Sequence, residues 1–102
     1  MTTITLSYWE NLTKPRTRRA PVARVLVRED SVVIESLDPP DWLLHPFCRE
    51  VVLFAPALVR LAWREWSELE QPRLAFADYL QSWFGTGQGA GNLHISDVKE
   101  EP

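Results

Sequence analysis

The sequence predicts an α+β domain, in which a small antiparallel sheet of about three N-terminal strands is covered by two or three C-terminal helices. Up to residue 37, segments with alternating apolar and polar side chains, or with a run of β-forming residues, are typical of strands. Beyond residue 41, apolar side chains recur at helical spacing, and this part contains four of the five tryptophans. A chain of 102 residues is long enough for one domain with a modest core, which we expect to span residues 1–84.

Three segments have the pattern of strands. The first is residues 2–8, in which polar and apolar side chains alternate strictly from Thr3 to Tyr8. Side chains alternate again within residues 22–29, and residues 31–37 are a run rich in β-forming residues. The polar residues around Asp30 join these two segments, so we expect them to form a hairpin. A hairpin plus one strand needs a covering layer to be stable, and the following helical segments are expected to provide it.

The first helical region is expected to cover residues 41–70. A pair of prolines ends the sheet portion, because proline cannot donate a hydrogen bond to a strand ladder, and Asp41 is a suitable N-cap. Pro56 interrupts the region. Either one helix bends there, or residues 50–54 form a short buried strand and a new helix begins at Pro56. We favour two helical pieces.

The tryptophans of this region are either core residues or contact residues. Large aromatic side chains fill small cores, but they are also favoured anchors of protein interfaces. Trp63 and Trp66 lie to one side of a broad apolar arc, next to Arg60 and Arg64. We predict that these four residues form the partner-binding surface, with Trp63 the more exposed tryptophan. Four apolar residues of the region do not follow its helical rhythm: Leu53, Phe54, Ala57 and Leu61.

The last helix is expected at residues 72–84, where apolar side chains line one face and Pro72 suits the first turn. All four glycines lie between residues 85 and 91. We interpret residues 85–102 as a glycine-rich linker with a tail that is flexible or docks on another surface. The glycines follow a helix instead of a strand, so the pattern differs from that of a nucleotide-binding loop.

Basic residues are concentrated in one segment, although the net charge of the chain is −3. No acidic residue interrupts a series of six bases: Lys14, Arg16, Arg18, Arg19, Arg24 and Arg28. Three interpretations are open. The segment is a solvated loop, a surface that docks on an acidic protein, or a nucleic-acid contact with Tyr8 and Trp9 as stacking partners. We keep nucleic-acid binding through the basic face of residues 14–28 as the alternative function.

The sequence contains little that resembles catalytic machinery. His45 and Cys48 are three residues apart, but Cys48 lies on an apolar stripe, where a packed and unreactive thiol is expected. One cysteine and two histidines exclude an intramolecular disulfide and the usual four-ligand zinc sites. We therefore expect that the protein is not an enzyme and uses no metal or cofactor.

The expected function is non-catalytic protein binding, as a small subunit, adaptor or inhibitor that engages a larger protein or a second copy of itself. The single cysteine suits a reducing, cytoplasmic setting. We expect no secretion signal at the N-terminus and no contact with membranes. The apolar run at residues 51–63 is shorter than the roughly 20 residues that span a bilayer.

Overall fold

The β-rich segments of the sequence pair with one another as antiparallel strands. The computed structural model describes residues 1–9, 18–44, 46–70, 74–85 and 93–101. Within these residues, the sheet has four strands: Thr2–Trp9 (β1), Arg19–Val27 (β2), Val32–Ser36 (β3) and Leu93–Glu100 (β4). The strand order is β3-β2-β1-β4, so β1 has a neighbour on each side. The predicted α+β class and antiparallel sheet are confirmed.

Strand β4 corrects the prediction of about three strands. It comes from the segment that the sequence analysis interprets as a tail, and it pairs antiparallel with β1. A bulge interrupts this pairing, because Thr5 lies opposite Asp97 whereas the next residue, Leu6, lies opposite Ile95. The extra residue, Ser96, shifts the alternation of apolar side chains along β4. The period of two that identifies strands in a sequence is therefore lost in this segment.

Strand β2 begins earlier than the predicted residue 22. Its first residues pair with the end of β1, where Ala20 lies opposite Tyr8. Among the described residues, this part of β2 has a neighbour on one side only, since the last residue of β3, Ser36, lies opposite Ala23. Pro21 is tolerated in β2 because the strand is locally at the edge of the sheet.

Helices follow the first three strands. In the described ranges they are a short 3-10 helix, Asp41–Leu44, and two α-helices, Pro46–Ser67 (α1) and Phe76–Gly85 (α2). Helix α1 continues through Pro56, so the favoured interpretation of two helical pieces is wrong, and residues 50–54 are helical. Ala55 and Val59 are both fully buried on either side of the proline. Their burial offsets the cost of about 3 kcal/mol that proline imposes within a helix.

The helix boundaries also differ from the predicted ranges of 41–70 and 72–84. Helix α1 ends at Ser67, and α2 begins at Phe76, where the Tyr79 N–H donates to the Ala75 carbonyl oxygen at 3.0 Å. Residues 71–73 lie outside the described part of the chain. In the part that is described, neither helix is both long enough and apolar enough to cross a membrane.

The core lies between one face of the sheet and the two helices. Cross-strand neighbours Ile4 and Val25 are fully buried at its centre. Among the side chains whose burial is described, the two α-helices contribute six buried ones: Ala55, Val59, Ala62, Phe76, Leu80 and Trp83. The residues of α1 in this set recur at intervals of three or four, which places them on one side of the helix. That side is the only one that the sheet can cover.

Leu93→Ala is expected to reduce the free energy of unfolding by about 2–4 kcal/mol, because Leu93 is 4% exposed and its truncation leaves a cavity beside β1. Val98→Ala in the same strand is the control, since Val98 is 40% exposed and should lose less than about 1 kcal/mol. Urea denaturation followed by circular dichroism measures both. A flexible tail would instead leave both variants as stable as the wild type.

Candidate protein-binding surface

The side of α1 that points away from the sheet carries large apolar side chains. Leu53 is 67% exposed, Phe54 is 63% exposed and Leu61 is 45% exposed. Ala57 is exposed too, and it lies one helical turn from both Leu53 and Leu61. We refer to Leu53, Phe54, Ala57 and Leu61 as the outer face of α1. Helix α1 is thus apolar on two sides, of which only one is buried in the core.

An apolar cavity of about 280 Å³ adjoins the outer face at Leu53. It lies between α1 and the segment that leads from β3 to the 3-10 helix. Its apolar lining includes Leu37, Pro39, Leu43, Leu44, Val52 and Leu53, and Asp38 and Arg49 add charge. The volume is small for an organic ligand and is suited to one or two inserted side chains. The apolar surface therefore continues from the outer face into a recess.

Charged residues border the outer face. Arg60 and Arg64, two of the four predicted partner-binding residues, are exposed and lie beside it. They are one helical turn apart, so their like charges repel each other weakly. Glu50 is exposed near the other end of the same side of α1. The outer face thus has Glu50 and the neighbouring Arg49 towards its N-terminal end and two arginines towards its C-terminal end.

Trp63 and Trp66, the other two predicted partner-binding residues, are half-buried and pack against Phe76 of α2. The ring centroids are 5.0 Å apart between the two tryptophans and 4.9 Å apart between Trp63 and Phe76. The Trp66 Nε1–H also donates to the Leu74 carbonyl oxygen at 2.7 Å. These contacts connect α1 to α2. They supply a structural reason for both tryptophans, while the predicted role in partner binding stays a prediction.

Glu65 makes a second connection between the helices. Its Oε2 accepts a hydrogen bond from Trp83 Nε1 at 2.9 Å and another from the Tyr79 hydroxyl at 3.3 Å. Burial of the phenol, the negative charge of Glu65 and this hydrogen bond together raise the pKa of Tyr79 above its ordinary value. No role for Glu65 is predicted from the sequence, although a carboxylate among apolar helix positions indicates such a partly buried acceptor.

The predicted basic face is only partly described. Lys14 and Arg16 lie outside the described residues. Arg18, Arg19, Arg24 and Arg28 are all exposed. Arg24 lies on the sheet face that points away from the helices, where its Nη1 is 3.8 Å from the Glu35 Oε1. Nearby on this sheet face, the Lys99 Nζ is 3.9 Å from the Asp97 Oδ2, so these two residues also form an ion pair. The charge of this part of the sheet is therefore mixed.

Two of the basic residues lie over aromatic rings. The Arg18 guanidinium carbon is 4.8 Å from the ring centroid of Trp42, and that of Arg19 is 5.6 Å from the ring centroid of Trp9. The Trp9 ring also contacts His94, with 5.7 Å between centroids. Arg19 and Trp9 are cross-strand neighbours, so this cluster lies at one end of the sheet. It brings cationic and aromatic groups together, while binding of nucleic acid by this segment stays a prediction.

Other predicted features fall outside the described residues, namely His45 and most of the glycine-rich segment, residues 86–92. Among the residues that are described, no three histidine, cysteine, aspartate or glutamate side chains are close enough together to hold a metal ion. Comparison of the chain with protein-family models, with curated proteins and with solved structures finds no match.

The outer face of α1 is the feature that the sequence analysis does not assign to a site. Its residues are visible in the sequence as the apolar side chains that do not follow the main helical rhythm. Leu53, Ala57 and Leu61 are spaced by four, which is itself the spacing of a helix side. This second apolar stripe on the same helix is therefore the sequence pattern from which the outer face could have been predicted.

Glu65→Ala is expected to reduce the free energy of unfolding by about 1–3 kcal/mol, because Trp83 and Tyr79 lose a charged acceptor in a partly buried site. The control is Glu68→Ala, which removes an exposed carboxylate just beyond α1 and should change stability by no more than about 0.5 kcal/mol. Thermal and urea unfolding measure both variants. Equal stability of the two variants would contradict a structural role for Glu65.

Proposed function

We propose that this protein is a non-catalytic protein-binding module, acting as a small subunit, adaptor or inhibitor, and that it binds through the outer face of α1. The observation that carries the proposal is the exposure of Leu53, Phe54 and Leu61 side by side on one helix. Single exposed apolar residues are common on protein surfaces, whereas a contiguous apolar patch is typical of an interaction site.

The energetics of the surface support this proposal. Burying one such leucine or phenylalanine side chain stabilises a complex by about 1.5–3 kcal/mol. An aromatic anchor such as Phe54, with arginines near it, is also the composition that protein interfaces favour. In this proposal Arg60 and Arg64 lie at the rim of the contact. Trp63 and Trp66 support it indirectly, by holding α2 against α1.

The single cysteine of the chain remains consistent with a cytoplasmic setting, and we propose that location. The partner then has to be found among proteins of the same compartment. An apolar helix side with charged borders suits an amphipathic helix as the partner element, because such a helix offers an apolar stripe of matching width.

Replacing both Leu53 and Phe54 by serine is expected to reduce capture of the partner at least about tenfold, because the centre of the contact loses its apolar area. The measurement is a quantitative pull-down of the tagged full chain from host lysate, with and without nuclease. Leu74→Ser is the matched control, since Leu74 is 59% exposed but lies outside the outer face.

The stability of the double variant distinguishes a loss of binding from a loss of folding. Because Leu53 and Phe54 are largely exposed, their replacement should change the free energy of unfolding by no more than about 1 kcal/mol. Unchanged capture by the folded double variant would contradict the proposed surface. Loss of all captured proteins on nuclease treatment would instead favour the second candidate function.

Nucleic-acid binding through residues 14–28 is that second candidate. It is favoured by the positions of Arg18 and Arg19 over aromatic rings at one end of the sheet. Aromatic rings with adjacent cations can stack on bases and contact phosphates. The pairing of Arg24 with Glu35 weighs against it, because this ion pair reduces the positive charge available to phosphates.

Replacing Arg18 and Arg19 by alanine is expected to weaken binding of a labelled single strand and to reduce its salt slope by about 1–2, since two phosphate contacts are lost. Fluorescence anisotropy between about 50 and 200 mM salt provides the measurement. The control is the double variant Arg60→Ala/Arg64→Ala, which removes the same charge from α1. An absence of binding by the wild type at low salt would exclude this candidate.

A further inference from the structure

The outer face of α1 is complementary to itself. Glu50, Ala57 and Arg64 follow one another at intervals of seven residues, and all three are exposed, so they form a line along this side of the helix. The line has an acidic residue at one end, a small residue in the middle and a basic residue at the other end. If a second copy of the helix lies antiparallel to the first, Glu50 of one copy comes next to Arg64 of the other.

We propose that the partner of this surface is a second copy of the chain, whose α1 packs antiparallel to the first about a two-fold axis at Ala57. The inference rests on the proposed function, because it assigns a partner to the same surface. In a two-fold arrangement, Glu50 of each copy meets Arg64 of the other, so the ion pair forms twice. A parallel pair would place equal charges against each other.

The apolar residues match in the same register. Leu53 and Leu61 lie four residues from Ala57 in opposite directions, so Leu61 of the second copy comes level with Leu53 of the first. Phe54 lies one residue further along and contacts the same layer. The small side chain of Ala57 at the axis allows the two helices to approach to about 8 Å, at the close end of helix packing. All of the large exposed side chains of the outer face are thus covered.

Within the described residues of one chain, the charges of the line have no such match. Glu50 and Arg64 are fourteen positions apart in the sequence, which corresponds to about 21 Å along a helix. Neither of them forms an ion pair with another residue of the described part of the chain. Two copies in the antiparallel register bring these opposite charges together.

The expected affinity is modest. A contact made by one helix from each copy is at the low end of the area that specific interfaces bury, so we expect a Kd that is roughly micromolar. Sedimentation equilibrium of the full chain between about 1 and 500 µM covers this range. The expected result is a reversible monomer–dimer equilibrium.

Charge reversal tests the register. Glu50→Arg and Arg64→Glu each place like charges together twice, and each is expected to weaken the dimer at least about tenfold. The double variant E50R/R64E restores both ion pairs and should recover wild-type association. Mixing the two single variants should produce a heterodimer, because E50R has only basic and R64E only acidic residues at these two positions.

The control is Asp30→Arg, a charge reversal at an exposed position of the turn between β2 and β3, which should leave association unchanged. Circular dichroism confirms that each variant is folded. A wild type that stays monomeric throughout the range would overturn the inference, as would a dimer that is insensitive to both reversals or a mixture without heterodimer. If the wild type is monomeric but Leu53→Ser/Phe54→Ser still abolishes capture of another protein, the proposed function stands and the second copy is excluded.

Discussion

The packing of α1 on the sheet is the contact on which the rest of the surface depends. Ala55, Val59 and Ala62 are fully buried, and their small side chains allow the helix to lie close to β2 and β3. A two-layer fold can cover only one side of such a helix. Once these residues are buried, Leu53 and Leu61 must face away from the sheet. The exposed apolar surface is therefore a direct consequence of how the core is built.

The remaining contacts hold this arrangement in place. Strand β1 pairs with β2 on one side and with β4 on the other, so residues from both ends of the chain form one sheet. The carboxylate of Glu65 and the aromatic rings of Trp63, Trp66 and Phe76 then connect α1 to α2. Polar and aromatic contacts of this kind have directional preferences, which fix the orientation of neighbouring helices more strictly than aliphatic packing does. These contacts support α1, and with it the outer face, from the side of α2.

The strands and helices were predictable where the side-chain period is regular. β1 follows an alternation of two, β3 is a short run of β-branched residues, and most of α1 and α2 follows the helical period. β4 was missed because the bulge at Ser96 shifts its alternation. The continuity of α1 at Pro56 was also missed, because a local preference against proline in helices is outweighed by burial of residues on both sides of it. In both cases the stabilising contacts come from residues distant in sequence, namely β1 for β4 and the sheet for α1.

The sequence by itself determined that this is an α+β chain with an unusually apolar first helix, bordered by Arg60 and Arg64. It did not determine which apolar side of that helix is buried, since Leu53 and Val59 are equally apolar as residues. Only the tertiary structure decided this, because the sheet offers one face of limited width and the small side chains of α1 fit it best. The tertiary structure also places Trp63 and Trp66 against Phe76 of α2. Leu53, Phe54 and Leu61 remain exposed on the outer face of α1.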